Sequence, residues 1–436
     1  MSTRAEHDGD APPGALALAS RLGEVLLVVA ATLAPLLVTV PLVALAQGSR
    51  AARRHVWSRL TTLLMRLGPA FVKAGQVLGT RRDVLPPGMC DELATLQDAV
   101  APMSARQARE ALAEVYGDEL ETLFAEVDYS SVASGSIAGV HRARLASGPE
   151  VALKLRRPGV DRVMRLDLGL MRRGAVLVAR LPPLRGVPVV EVVDAMCAAV
   201  LGQLDFEREA AGLARLRVEL AVVPRVWVPR VVPEACRPRC IAMEFIPDLD
   251  VDAASRCSPA ARRKFAESGL TAIYEMLFVN GYVHCDLHPG NLYFTESAQV
   301  VVLDAGFSVQ LTERLRLLFA DFFLNMAVGD GDKCAAIVVE SAAEVRADAD
   351  LTGFLDRMAD LVRRSHKLPA REFSLMAFAT EMFDLQRGHG IHAAPELIFP
   401  LLSLLVIEGT IRDLDPEVDF QELARPVLMK GRFSSR

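Results

Sequence analysis

The sequence feature that most constrains this chain is a polar loop between two apolar runs, beginning at Gly281. It reads Gly281-Tyr-Val-His-Cys-Asp-Leu-His-Pro-Gly-Asn-Leu-Tyr-Phe294 and is followed by Val300-Val-Val-Leu-Asp-Ala-Gly306. This layout is typical of a phosphoryl-transfer loop, in which Asp286 faces the attacking hydroxyl or water while Asn291 and Asp304 hold a metal on the nucleotide phosphates. Hard oxygen ligands suit Mg²⁺. The stretch therefore predicts a site for Mg²⁺ and a nucleotide.

The same loop has a simpler interpretation as a polar turn, in which Asp286 and Asn291 only satisfy backbone groups. We favour the phosphoryl-transfer interpretation, because a polar loop followed by an aspartate at the end of an apolar strand is a demanding combination.

An upstream segment has the pattern of a nucleotide-covering hairpin. A loop of small residues leads into one strand, and the next strand carries Lys154 among apolar residues, where a lysine is costly unless it is paired. Glu209, on a predicted helix, is the candidate partner of Lys154. The alternatives are a surface lysine and an exposed helix-face carboxylate. The predicted phosphate loop is Ala133, Ser134, Gly135 and Ser136, and the predicted adenine-facing hinge is Met243, Glu244 and Phe245.

Composition narrows the class of protein. The 436 residues carry a formal net charge of −5, which argues against nucleic acid as the main partner. The seven cysteines are odd in number and scattered, a pattern that favours a reducing compartment over a disulfide framework. Cys236 and Cys240 form a lone pair, so zinc is not expected.

The N-terminal region contains an apolar segment that predicts membrane association. Residues 25–46 carry no charge, and about 22 helical residues span a bilayer core. Pro35 and Pro41 would kink such a helix. Arginines after the segment place the rest of the chain on the cytoplasmic side by the positive-inside rule. A helix lying on the membrane, a buried helix and a cleaved signal peptide are the alternatives.

The remaining pattern predicts the order of the domains. Helices are predicted over 51–67, 89–96, 104–116, 161–181, 190–220 and 258–280, strands within 123–155 and at 226–232 and 240–246, and mostly helix from Thr312 onward. The predicted domains are a disordered tail over 1–22, the apolar segment over 23–48, a helical extension over 49–120, and two lobes over 121–246 and 247–436.

Together these motifs resemble the UbiB-like (aarF-type) atypical kinase family, which supports isoprenoid-quinone biosynthesis. The resemblance covers roughly Leu60 to Leu414. The family's Lys-x-Gly-Gln signature stands as Lys73-Ala-Gly-Gln76, and its His-x-Asp-x-His-Pro-Gly-Asn loop stands as His284 to Asn291. Its nucleotide loop, strand lysine, helix glutamate and Asp-Phe-Gly correspond to Ala133–Ser136, Lys154, Glu209 and Asp304-Ala-Gly306.

The resemblance implies an α+β, protein-kinase-like two-lobed fold with an added helical N-terminal element and an apolar N-terminal membrane-associating segment. In the family that element lies over the active site, so Lys73, Gln76 and Asp205 are predicted to gate access. The implied cofactors are ATP and Mg²⁺. The implied partners are a membrane lipid or isoprenoid-quinone precursor and other enzymes of quinone biosynthesis. The implied activity is ATP hydrolysis or phosphorylation of a small or lipid substrate.

Three departures from the family pattern keep other functions open. Gln203 replaces a glutamate near Asp205, and a neutral Gln cannot balance the charge of Lys73 as a carboxylate would. Gly135 and Gly139 make the small-residue loop more like a flexible glycine-rich loop. Asp304-Ala-Gly306 lacks the usual Phe. The alternatives are a catalytically weak nucleotide-binding lipid scaffold, and a Ser/Thr protein kinase or small-molecule phosphotransferase.

Overall fold

A computed structural model describes residues 15–433 except 80–84, 94, 97–100, 181–188, 251–252, 288–289, 296, 298 and 369–371. The chain forms two compact units. The first contains most residues up to Asp205, together with Arg237–Cys240. The second contains Phe206–Cys236 and the chain from Ile241 onward. The predicted lobes, divided after residue 246, differ from this division, which assigns 206–236 to the second unit.

The first unit contains an antiparallel sheet of three successive strands, as the pattern over 123–155 predicts. Its strands are β1 (Phe124–Ser134), β2 (Ala138–Leu145) and β3 (Glu150–Arg156). Gly148 has φ +110° in the β2–β3 turn, a conformation that favours glycine. The N–H of Arg156 donates to the Arg239 carbonyl at 3.0 Å, which places the chain entering β5 (Cys240–Glu244) beside β3.

Helices pack around this sheet in the first unit. Ser104 caps α5 in a reciprocal capping box with Gln107, confirming the predicted N-cap. The helices are α1 (Ala15–Leu33), α2 (Leu36–Leu67), α3 (Pro69–Gly79), α4 (Pro87–Leu93), α5 (Ala105–Tyr116), α6 (Glu119–Leu123), α7 (Val160–Val178) and α8 (Val189–Gly202).

The apolar N-terminal segment is one arm of a helical hairpin. α1 begins at Ala15, so residues 15–22 of the predicted tail are helical, while residues 1–14 lie outside the described chain. A turn at Ala34–Pro35 separates α1 from α2, and Gly48, at φ +85°, interrupts α2. Beyond Gly48 the chain reverses, since Thr39 bonds His55 at 2.9 Å and Arg21 donates to the Leu67 carbonyl at 2.6 Å.

The predicted continuous helix over 190–220 is wrong, because the chain breaks it into two. α8 ends at Gly202, and α9 spans Phe206–Glu219. The N–H groups of Gln203 and Leu204 bond carbonyls three residues back, at 3.2 and 3.0 Å, which tightens the end of α8 into a turn. The break falls at the division between the two units.

The second unit combines short strands with a large helical part. β4 (Val226–Trp227) pairs in parallel with β8 (Val300–Val302), β8 pairs with β7 (Leu292–Phe294), and β6 (Tyr282–His284) pairs with β9 (Ser308–Gln310). The predicted helix over 258–280 is α11 (Pro259–Tyr274), continued by a π-helical turn over Glu275–Asn280. The other elements are α10 (Ala253–Arg256), α12 (Glu313–Val328), α13 (Gly331–Glu340), β10 (Ala342–Val345), α14 (Leu351–His366), α15 (Leu375–Gly388), β11 (Ile391–Ala393), α16 (Pro395–Leu414) and α17 (Phe420–Phe433).

Candidate active site

The short strands of the second unit bring Asn291 and Asp304 together. Leu292 pairs with Val302, and the Leu303 N–H donates to the Asn291 carbonyl at 2.8 Å, one step beyond that pair. Asn291 and Asp304 therefore leave the same end of the β7–β8 ladder. On the other side, β9 pairs with β6, which places the start of the loop carrying Asp286 in the same unit.

The loop between β6 and β7 is closed by its own asparagine. The Asn291 Nδ2 donates to the Asp286 carbonyl at 2.9 Å. This bond is one that the polar-turn interpretation also predicts. It occupies the amide nitrogen and thereby orients the amide oxygen, which is the atom that suits a hard cation. His288 and Pro289 of the motif lie outside the described residues.

Asp304 has an unusual backbone. Its φ is +62°, in the left-handed region that a non-glycine residue seldom adopts. Its Oδ1 accepts a hydrogen bond from the Gly306 N–H at 2.6 Å, which fixes the carboxylate. Strained conformations of this kind persist mainly where the surrounding structure enforces them for a function.

Gly306 brings a second carboxylate to Asp304. Glu209, on α9, is 1% exposed. A Cβ at Gly306 would lie 3.2 Å from the Glu209 Oε2 and 3.1 Å from the Asp304 Oδ1, so both carboxylates border this glycine. At Gly212 a Cβ would lie 3.1 Å from the Cβ of Ala305. Two acidic groups at close range favour a cation nearby.

His284 joins the two halves of this site. It is fully buried; its Nδ1 accepts from the Asp286 N–H at 3.1 Å, and its Nε2 lies 3.2 Å from the Leu303 carbonyl. These partners assign the neutral tautomer with the proton on Nε2. Ser403 of α16 donates to the His284 carbonyl at 2.8 Å. Nothing in the sequence pattern links Ser403, more than a hundred residues downstream, to this loop.

Replacing Ser403 by alanine is expected to destabilise the protein by about 1–2 kcal/mol, because the buried His284 carbonyl loses its donor. ATP turnover should fall severalfold, since this carbonyl directly precedes the Cys285–Asp286 turn. Chemical denaturation and ATPase assays measure both effects. Ser341→Ala is the matched control, because its hydroxyl bonds the Val338 carbonyl within its own helix end. Equal losses in the two variants would contradict the role given to Ser403.

Cys285 lies beside Asp286 in the loop. Burial raises the pKa of the Cys285 thiol well above its ordinary value. The thiol is therefore protonated at neutral pH and is a poor nucleophile. Asp286 remains the group of this loop that suits proton transfer or water positioning.

In the first unit, the predicted phosphate loop is tied down by an arginine. Arg157 donates from Nε to the Gly135 carbonyl at 2.8 Å and from Nη2 to the Ser134 Oγ at 2.6 Å. The Gly135 N–H bonds the Ala138 carbonyl at 2.8 Å. The flexibility predicted from Gly135 is thus limited by these contacts. The sequence signal for Arg157 is only its place directly after β3.

The other predicted residues of the first unit lie on separate elements. Lys154 stands in the middle of β3, opposite Val140. Lys73 and Gln76 lie on α3, where the Gln76 Nε2 donates to the Leu96 carbonyl at 3.1 Å. Asp205 is exposed just after α8. The pairing of Lys154 with Glu209 joins residues of different units and stays a prediction, as does the gating role.

The predicted hinge lies at the end of β5. The Glu244 N–H donates to the Arg230 carbonyl at 2.8 Å, and its Oε2 lies 3.3 Å from the Trp227 Nε1. Met243 is buried. Because the Glu244 N–H already has a partner, an adenine contact at this residue would use its carbonyl. The adenine-binding role of Met243, Glu244 and Phe245 remains a prediction.

Comparisons with known proteins agree with these features. The family model of the ABC1 atypical kinase-like domain matches residues 95–338, and that of the UbiB helical domain matches residues 358–419. The probable protein kinase UbiB of Aeromonas hydrophila is 33% identical over 379 residues, covering 85% of this chain and 69% of the relative. That of Vibrio cholerae is 33% identical over 387 residues, covering 87% and 71%.

A solved structure shares the fold. The complex of Rv3197 with erythromycin from Mycobacterium tuberculosis has a TM-score of 0.61 at 22% identity, and covers 86% of this chain and 96% of that one. The matched kinase-like domain contains Lys154, Glu209, Asp286, Asn291 and Asp304. The predicted kinase-like α+β fold and the resemblance are confirmed. The chain therefore belongs to the ABC1/UbiB family of atypical kinase-like proteins.

Proposed function

We propose that this protein is a membrane-associated, Mg-dependent ATPase or kinase that acts on a small or lipid substrate of isoprenoid-quinone biosynthesis. The observation that carries the proposal is the joining of Asp286, Asn291 and Asp304 by hydrogen bonds and strand register within one unit. The name UbiB of the relatives supports the link to quinone biosynthesis.

The residues present fit a Mg²⁺ ion. Among the described residues no group of three His, Cys, Asp or Glu side chains has the arrangement of a metal site. Mg²⁺ is typically held by one or two protein oxygens together with substrate phosphates and water. Asn291 and Asp304 supply such oxygens, and the bond to the Gly306 N–H fixes the Asp304 carboxylate. When bound, Mg²⁺ would neutralise the charge that develops on the phosphates.

The chain's own residues would then divide the work. Lys154 would bind the α- and β-phosphates, and Glu209 would orient it. Asp286 would accept the proton of the attacking hydroxyl or position a water. Met243–Phe245 would frame the adenine, and Lys73, Gln76 and Asp205 would restrict access. An occluded site of this kind favours small or lipid acceptors over protein side chains.

ATP turnover by the full chain, measured with liposomes and a phenolic head-group mimic, tests the proposed function. We expect Mg-dependent hydrolysis that the liposomes or the phenol stimulate and that Asp286→Asn abolishes. Binding of ATP without hydrolysis under all these conditions would overturn the enzyme and favour a lipid scaffold, for which Gln203 is the supporting observation. Robust phosphate transfer to added proteins would favour a protein kinase instead.

The helical hairpin supports a peripheral membrane contact. By length and composition, Leu18–Leu67 is the one stretch among the described helices that qualifies as a membrane span. Its second arm, however, returns along the first and carries exposed Arg50, Arg53 and Arg54 next to the turn at Gly48. Insertion from the tip would take these arginines into the hydrocarbon, which costs a few kcal/mol for each.

Lying flat, the hairpin matches a membrane surface. Apolar side chains of its first arm are exposed, among them Leu37 at 82% and Leu45 at 87%. Leucines on one arm and arginines on the next suit the acyl boundary and anionic head groups of the cytoplasmic leaflet. We therefore propose an interfacial helix pair with the catalytic units on the cytoplasmic side.

Vesicle co-sedimentation tests this arrangement. The double variant Leu37→Glu/Leu45→Glu is expected to bind anionic vesicles at least about tenfold more weakly, while the fold is unchanged because both side chains are exposed. Val328→Glu, exposed in the second unit, is the matched control. Alkaline carbonate should release the wild-type protein from membranes. Retention after carbonate treatment, together with unchanged binding of the double variant, would show a true span.

A further inference from the structure

The second unit contains an apolar pocket between α12, α13, α15 and α16. It comprises about 610 Å³ of space, part of it open to solvent. This volume falls within the range of small-molecule sites. None of the residues that line it belongs to the predicted nucleotide site. Five phenylalanines contribute to the wall, namely Phe319, Phe322, Phe323, Phe378 and Phe383.

One buried polar group in this wall has no partner. Gln386 is 3% exposed, and its Oε1 has no hydrogen-bond partner among the described residues. Ser341, the other polar residue of the wall, donates its hydroxyl to the Val338 carbonyl at 3.1 Å. A buried carbonyl oxygen without a donor is unfavourable, so Gln386 marks the place where a ligand donor fits.

The aromatic wall indicates the shape of that ligand. The rings of Phe319 and Phe323 lie 5.2 Å apart, and those of Phe322 and Phe323 lie 5.7 Å apart, both edge to face. Such surfaces accept another aromatic ring well. A second apolar pocket shares Phe323 and Leu375 with the first and continues toward α17. No charged residue lines either pocket, which excludes an ionised ligand as a good fit.

We propose that this pocket binds a neutral phenol that carries an apolar chain. The phenolic O–H donates to the Gln386 Oε1, the ring lies among the phenylalanines, and the chain extends toward the second pocket. Long-chain aliphatic alcohols share the hydroxyl donor but lack the ring. The proposal concerns a site outside the nucleotide-binding residues and does not depend on their activity.

Calorimetric titration of the full chain with three probes tests the proposal. The probes are 4-pentylphenol, 4-pentylanisole, which lacks the O–H donor, and 1-decanol, which lacks the ring. We expect the phenol to bind at least about tenfold more tightly than the anisole, as the loss of one hydrogen bond in a buried site implies. The phenol should also bind more tightly than the alcohol.

Gln386→Leu should remove the preference for phenol over anisole without loss of the fold, because it removes a buried polar group that lacks a partner. Its thermal midpoint should stay equal or rise. Should this variant fold poorly, Gln386→Met gives the same comparison with a straighter side chain. Gln421→Leu, in the second pocket, is the matched control and should keep the preference.

Three outcomes would overturn the assignment. Equal affinity of the wild-type chain for phenol and anisole would show that the Gln386 oxygen does not select a donor. A preference that persists in Gln386→Leu would place the phenol elsewhere. Tighter binding of 1-decanol than of 4-pentylphenol would assign the pocket to aliphatic alcohols.

Discussion

Replacing Asp304 by asparagine is expected to lower Mg-dependent ATP turnover at least about 100-fold, a loss typical when one electrostatic group is removed from a preorganised site. Asparagine keeps an oxygen that can accept from the Gly306 N–H, and it tolerates the positive φ of this position better than most residues. The change therefore removes the charge while it preserves the backbone. Initial rates at saturating Mg²⁺ and ATP measure the effect.

The control for this variant is an aspartate with a similar local bond but no role in the site. Asp348 is exposed and pairs with Arg346 at 2.9 Å, so Asp348→Asn should leave turnover unchanged. Turnover of Asp304→Asn within about threefold of the wild type would contradict the metal-binding role. A matched loss of thermal stability in Asp304→Asn would instead indicate a structural role for the carboxylate.

Replacing Arg21 by methionine is expected to destabilise the first unit by about 3 kcal/mol or more, because it leaves a buried carboxylate without its partner. Asp167 of α7 has 0% exposure, and Arg21 binds it through Nε at 2.7 Å and through Nη2 at 2.9 Å. Methionine retains the apolar stem of the arginine, so packing is largely conserved. Chemical denaturation, with hydrogen exchange of α1 and α7, measures the loss.

A double variant separates the charge effect from a packing effect. Arg21→Met combined with Asp167→Leu removes both charges and should recover the stability to within about 1 kcal/mol of the wild type, as replaced buried ion pairs often do. Arg106→Met is a matched control, because its pair with Glu110 is exposed and contributes little. A loss below about 0.5 kcal/mol for Arg21→Met alone would show that α1 is held by other contacts.

The catalytic loop was predictable because its chemistry is local. Asp286, Asn291 and Asp304 lie within one short segment, and alternation of apolar runs with a polar loop fixes which residues leave the strands. Helix ends with a local signal were also predictable, such as the capping box of Ser104 and the stop at Gly68. In each case the residues that decide the structure are neighbours in sequence.

Other features depend on distant residues and had no local signal. The bond of Ser403 to the His284 carbonyl and the Arg21–Asp167 pair each join positions more than a hundred residues apart. The break after Gly202 interrupts a continuous helical pattern, and the β10–β11 hairpin interrupts the predicted helical C-terminal region. The reversal at Gly48 had a weak signal in the Gly-Ser pair ahead of the arginines.

The central claim is that Asn291 and Asp304 together hold the metal of a bound nucleotide, and a Mn²⁺ titration followed by electron paramagnetic resonance tests it most directly. Mn²⁺ substitutes for Mg²⁺ at oxygen-rich sites. With ATP present, the wild-type chain should bind about one Mn²⁺, and both Asn291→Leu and Asp304→Asn should weaken that binding at least about tenfold. Nucleotide-dependent Mn²⁺ binding of unchanged affinity in both variants would contradict the account.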